Sequence, residues 1–222
     1  MSKKEKACYI CGCTPAGTVD HVPPKNLFAP PAPDDLITLP CCQECNQSHS
    51  KDEEYFRVFV LGGSYNHRQA KRIWDSKVRR SLRRKPRFRQ KLARDLIPVE
   101  VFTRGGVYLG KATALTAESK RINRVIQKIV KGLCYYHYDR RLDDVSFEIY
   151  HNPDLNGSNP LVDAWRNTPR CDVGEGVFTY WRAVAQGVPE GSMWWLLFYE
   201  RALFLVFTIP AAFADDIQAD VT

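Results

Sequence analysis

The sequence predicts an α+β protein in three parts: a small cysteine-held module, a run of basic helices, and an α+β body with an antiparallel sheet. Three observations lead there. Six of the eight cysteines lie within the first 45 residues of a 222-residue chain. From His67 to Arg94 the chain carries thirteen Lys and Arg against one acid, Asp75, with apolar residues recurring at helical spacing. Beyond residue 98, short apolar segments alternate with turn residues around one strongly amphipathic helix. The expected boundaries are 1–64, 65–97 and 98–222.

Residues 7–62 read as one unit. Cys8 and Cys11 form one Cys-x2-Cys pair, and Cys42 and Cys45 form a second, separated from the first by thirty residues. Four thiolates at that spacing can hold a structural zinc ion tetrahedrally. Cys13 and Cys41 lie close enough to compete; Cys41 would leave the second pair spaced Cys-x3-Cys, so Cys42 is preferred and Cys13 is read as the spare. Without a metal, so small a module with few apolar residues has little else to fold it. Met1 to Lys6 is polar and lysine-rich and does not read as a secretion signal. A reducing cytoplasm is therefore the expected location, where such pairs bind metal rather than form disulfides.

Between the two pairs the chain runs into Asp20 and His21. Pro23, Pro24, Pro30, Pro31 and Pro33 then follow, too dense for regular structure. Asn46 comes directly after the last cysteine of the pair, and the segment from there to Leu61 is helix-like, stopped by Gly62-Gly63. His49, three residues past Asn46, would share its helix face and is a candidate further ligand for metal or phosphate.

The basic part predicts a helix from about Arg68 to Arg84, on Ile73, Trp74, Val78 and Leu82, with a short continuation past Pro86. Its balance of +12 exceeds the net +7 of the whole chain, so the remainder carries −5. A positive surface this concentrated favours polyanions through counterion release. Arg79, Arg80, Arg83, Arg84, Arg87 and Arg89 are the candidates to follow a phosphate backbone; a solvated helix face is the bland reading.

In the body, Val99–Thr103 and Val107–Leu109 flank Arg104-Gly105-Gly106 as a hairpin. Thr116 to Arg140 is the strongest helix, with Ile122, Val125, Ile126, Ile129, Val130 and Leu133 on one stripe. Val145–Tyr150, Val177–Val184, Met193–Tyr199 and Leu203–Ile209 read as strands, and His151 to Glu175 as loop. The longest apolar stretch, Met193 to Phe213, is interrupted by Glu200 and Arg201, so it reads as two buried strands and no membrane is expected. His67, His137 and His151 have no partner pattern and read as surface or packing residues.

Taken together, Cys8-x2-Cys11, Asp20-His21-Val22-x-Pro24 and Leu39-x-x-Cys42-x-x-Cys45-Asn46 resemble the HNH endonuclease family in its zinc-knuckle form, over about a quarter of the chain. The resemblance implies a ββα-metal unit in which His21 is the general base toward water. It implies that Asp20 and Asn46 hold one Mg²⁺ or Mn²⁺ by oxygen, beside the structural Zn²⁺. The family's middle asparagine falls near Asp34 or Asp35, and Asp35 is placed to accept a hydrogen bond from the His21 ring. Lys25, past the Pro-Pro pair, is a candidate contact to the substrate backbone.

The expected function is thus metal-dependent endonucleolytic hydrolysis of DNA, with RNA as the other nucleic acid to consider. Two alternatives stand beside it: a non-catalytic zinc ribbon that binds nucleic acid, and a partner-regulated nuclease effector of a defence or toxin system. A protein partner or a homodimer stays open.

Overall fold

A computed structural model describes residues 6–103, 105–153 and 160–213. The fold is α+β with antiparallel sheets. Alternating burial sets the first two strands. In β1 (Thr18–Val22) Asp20 and Val22 point inward while Val19 is exposed; β2 (Ile37–Cys41) buries Ile37, Leu39 and Cys41. They pair antiparallel, with Asp20 opposite Leu39 and His21 opposite Thr38. The proline-rich connection makes one 3-10 turn, Lys25–Leu27, and tucks Leu27 and Phe28 into the core.

Helix α1 (Gln43–Ser48) begins directly after β2, capped by the Cys42 sulfur, which accepts the Cys45 N–H at 3.4 Å. His49 separates it from α2 (Ser50–Gly63). The order is therefore hairpin, then helix. The single helix expected from Arg68 to Arg84 is α3 (Arg68–Ile73), a π-helical turn over Trp74–Val78, and α4 (Arg79–Arg84). The wider turn lets Ile73 and Val78, five residues apart, both reach the core. Pro86 opens α5 (Pro86–Arg94), where its missing N–H costs nothing.

Strands β3 (Leu96–Phe102) and β4 (Tyr108–Leu115) form the expected hairpin, closed by Thr103 N–H donating to the Val107 carbonyl at 2.8 Å. Helix α6 (Ser119–Tyr138) buries the stripe its sequence shows. After β5 (Val145–His151), the segment expected to be loop contains α7 (Pro160–Arg166) and β6 (Cys171–Val173). With β7 (Phe178–Ala185), β8 (Val188–Phe198) and β9 (Ala202–Pro210) they make a five-stranded sheet ordered β5-β9-β8-β7-β6. The apolar Met193 to Phe213 stretch is spent on β8 and β9, and among the described residues no helix is long and apolar enough to cross a membrane.

One set of buried residues runs from Cys8 to Val206 and joins all three parts. Helix α6 is its centre, packed on β1, β2, α2 and β8. The closest approach is at Gly132, where a Cβ would lie 2.5 Å from Val22 Cγ2 and 3.3 Å from Leu39 Cδ1. Alanine there would gain about 1 kcal/mol of helix propensity but would push α6 off the β1–β2 hairpin, a strain of about 1–3 kcal/mol. Gly132→Ala is expected to lower the melting temperature; an unchanged or raised midpoint would show that this contact yields freely.

Candidate functional site

The cysteine knuckle is built by the turn before β1 and the β2–α1 junction. The sulfurs of Cys8, Cys11, Cys13 and Cys42 lie within 4.8 Å of one another. Cys11 and Cys42 are 3.7 Å apart, close to the roughly 3.8 Å that a tetrahedral zinc with 2.3 Å bonds demands. Three of the four expected ligands thus come together, and Cys13, expected as the spare, joins them. Cys45 is also adjacent: burial first, then contacts with the Cys42 and Cys11 thiols, push its thiol up.

Cys41 lies on the inward side, 3.9 Å from Cys8, its thiol pushed up by burial and then by Cys8. Burial would raise Cys8 too, but N–H donors from Cys11, Cys42 and Ile10 outweigh it and bring it down to about 6. Thiolates this close repel one another unless a cation sits between them. The donor set is soft and closed, and it fits a structural metal such as zinc. Arg141, absent from the sequence reading, lies over Gly12 so closely that a Cβ there would meet its Nη1 at 1.2 Å, adding a positive charge beside Cys8 and Cys11.

Next to the knuckle, strand alternation sends Asp20 and His21 in different directions. Asp20 is only 5% exposed. Its Oδ2 accepts the Tyr9 hydroxyl at 2.7 Å and lies 2.7 Å from Lys128 Nζ; its Oδ1 accepts the His21 backbone N–H at 2.8 Å. Lys128, itself 3% exposed on α6, also bonds Glu53 of α2. Burial pulls its ammonium down, while Glu53 and Asp20 more than offset that and hold it protonated above the ordinary lysine range. A buried carboxylate–ammonium–carboxylate triad therefore ties β1, α2 and α6 together.

Asn46 lies beside β1, its Nδ2 donating to the Val19 carbonyl at 3.1 Å. His49 turns its Nδ1 to the Cys45 carbonyl and the Ser48 hydroxyl, each at 3.0 Å, and lines a small cavity of about 90 Å³ with Arg124, Lys128 and Lys131. Asp35 requires a correction. Both its oxygens accept the backbone N–H of Gly174 at 3.1 Å, docking the loop before β7 onto the proline-rich segment, and this carboxylate is spent there rather than on the His21 ring. Gly174 permits the approach, at φ +69°, since a Cβ would lie 2.4 Å from the Phe28 ring.

His21 is half-buried; burial first, then Lys25, hold its imidazole below the ordinary histidine range, and Asp20 offsets only part. A neutral base at pH 7 results. Lys25 also acts on Lys77, whose Nζ donates to the Phe28 carbonyl at 2.9 Å. Lys77 then shares a cleft with Arg57, Arg80, Arg84 and Lys85. Glu54 lies in the same cleft and pairs with Lys85, which leaves Lys77, Arg80 and Arg84 as its unpaired cations among the described residues. The remaining expected cations divide: Arg79 pairs with Asp75 at 3.6 Å, Arg83 donates to the Arg79 carbonyl, Arg87 is exposed, and Arg89 lines a different groove.

The other histidines pack. His137 bonds the Tyr180 hydroxyl at 2.9 Å, His151 the Asn123 carboxamide at 2.7 Å, and His67 stacks edgewise on Tyr199. Comparison with protein-family models, curated proteins and solved structures gave no match.

The Mg²⁺ or Mn²⁺ implied by the resemblance can be tested against these contacts. Both Asp20 oxygens are already satisfied, and an ammonium occupies the flank of Oδ2 that a divalent cation would need. As arranged, the residues do not fit that ion.

Proposed function

We propose that this chain hydrolyses phosphodiester bonds in DNA as an endonuclease, with His21 as the general base. One observation carries the reading: a half-buried, neutral imidazole stands on β1 with Lys25 near enough to lower its pKa, on the chain that also gathers Lys77, Arg80 and Arg84 in one cleft. A phosphate backbone held at that cleft meets cations that position it without reading sequence. His21 would then take a proton from water attacking the phosphorus, while the opposite P–O bond breaks and the departing sugar oxygen is protonated from solvent, leaving a phosphomonoester end and a hydroxyl end.

No step is routed through Mg²⁺ or Mn²⁺ at Asp20 and Asn46, because Lys128 holds that carboxylate. The same lysine favours a second reading, a zinc module that binds nucleic acid without cutting it.

Plasmid nicking separates the two. His21→Ala is expected to cost about 10²–10⁴-fold in rate while zinc content and DNA affinity stay unchanged; equal nicking by the variant would remove His21 from the chemistry. The pH profile gives a second check. A base with a lowered pKa stays deprotonated to lower pH, so the rate should climb with pH to a plateau, the midpoint of the climb lying below the ordinary 6.5. Lys25→Ala, which removes one of the lowering charges, should move the rise to higher pH.

A further inference from the structure

The cleft between α2 and α4 has a lining that a solvated helix face does not explain. Lys77, Arg80, Ser81 and Arg84 recur at helical spacing and share one face, with Lys85 next in the chain; Glu54 and Arg57 of α2 complete the lining of a space of about 320 Å³. Cations on an exposed face are satisfied by water. Arg57 is not, because its side chain is only 11% exposed and its buried Nε has no hydrogen-bond partner among the described residues.

The acid in the cleft does not supply one. Glu54 accepts the Ser81 hydroxyl at 2.6 Å on Oε1 and the Lys85 ammonium at 2.5 Å on Oε2, and it lies 3.9 Å from Arg57 Nη2, beyond hydrogen-bond reach. Lys77 donates to the neutral Phe28 carbonyl; burial first, then Arg57 and Lys25, hold its ammonium below the ordinary lysine range. Five cations thus crowd one space against a single carboxylate.

We propose that this cleft seats the terminal phosphate of a DNA strand, so that the chain prefers a strand with a phosphorylated end to a continuous one.

Three arguments lead there. The first is charge: a terminal phosphate carries about −1.5 to −2 and three strong acceptor oxygens, more than a diester in mid-strand offers, and so answers Arg57 as well as Lys77, Arg80 and Arg84. The second is size. The space lies at the small end of the roughly 300–1,000 Å³ of ligand cavities, which suits a phosphate with its sugar. The third is what is missing: no aromatic ring lines the cleft, so no base stacks there and the phosphate itself is recognised. The inference rests on the nuclease reading for the strand, but not for the phosphate.

Fluorescence anisotropy tests this on the full chain at fixed ionic strength, with a short single strand labelled at one end and carrying a phosphate or a hydroxyl at the other. Exchanging label and phosphate shows whether the 5′ or the 3′ end is taken. The phosphorylated strand should bind about tenfold more tightly, and pyrophosphate should displace it. Arg80→Ser/Arg84→Ser, at exposed positions, should bind both strands equally, with circular dichroism and zinc content unchanged. Arg57→Met should lose the preference too, and the exposed pair decides if that variant does not fold. Equal affinity of the wild type for both strands overturns the proposal, as does a preference that survives Arg80→Ser/Arg84→Ser. Tight pyrophosphate binding with no preference between strands would make a free diphosphate the ligand and overturns it as well. Plasmid nicking without an end preference sinks this inference and leaves the nuclease reading standing, whereas an end preference in a chain that cuts nothing does the reverse.

Discussion

Cys42→Ser is expected to abolish metal binding and to unfold the knuckle around Cys8–Cys13 and α1, while α2 stays in the shared core. Cys42 serves the knuckle twice. Its sulfur stands 3.7 Å from Cys11 inside the four-thiol group, and it accepts the Cys45 N–H that starts α1. Structural zinc contributes about 10–16 kcal/mol, as much as the roughly 5–15 kcal/mol that holds a whole domain together. Losing it leaves the β1–β2 hairpin with its packing on α6, and α1 with its contacts to β1 and α2. Metal analysis should give about one zinc per chain in the wild type and none in the variant, with a melting midpoint lower by roughly 10 °C or more.

Cys41→Ser is the contrast. Its thiol faces inward, so the metal should be retained. Cys13→Ser and Cys45→Ser, compared side by side, identify the fourth ligand. Full zinc content in Cys42→Ser would dissolve the knuckle as described.

What the sequence made legible is what local pattern encodes. The α6 stripe from Ile122 to Leu133 was readable because one face of a helix is buried and the period records it. The knuckle was readable because thiolate spacing reflects metal geometry. The hairpin turn at Gly105-Gly106 was readable from glycine.

Features that depend on distant partners were not. Lys128 sits at the edge of the buried stripe, where a lysine ordinarily turns its ammonium to water; only the folded chain reveals Glu53, 75 residues away, and Asp20 waiting for it. Asp35 was assigned by counting along a motif, yet the prolines around it deliver its carboxylate to Gly174, 139 residues on. Spacing disfavours Cys13, but it says nothing of how a turn with Gly12 at φ +77° brings the next sulfur beside Cys8, Cys11 and Cys42. The groove beneath the hairpin joins α2, α5 and β4, and no window of sequence contains it.

Lys128→Met should be among the most destabilising single substitutions outside the knuckle, and it separates a resident ammonium from a displaceable one. Methionine keeps the aliphatic volume on α6, so the loss reports charge and hydrogen bonding. Two buried or half-buried carboxylates, Asp20 and Glu53, are then left facing each other without their cation. Breaking such a group typically costs about 3–5 kcal/mol.

The sign with pH follows from the lysine. Its folded pKa lies above the ordinary 10.5, so its stabilisation is complete at neutral pH and is lost only as pH climbs through the alkaline folded value. The deficit of the variant in urea unfolding should therefore be constant from pH 7 to 9. Two carboxylates freed of an ammonium make oxygen ligands for a hard cation, so Mn²⁺ should raise the midpoint of Lys128→Met by mass action and leave the wild type unmoved. Asp20→Asn added to Lys128→Met should cancel the Mn²⁺ effect. Stabilisation of the wild type by Mn²⁺, lost in Asp20→Asn alone, would instead mean that Lys128 leaves Asp20 on metal binding, and the divalent ion would return to the mechanism.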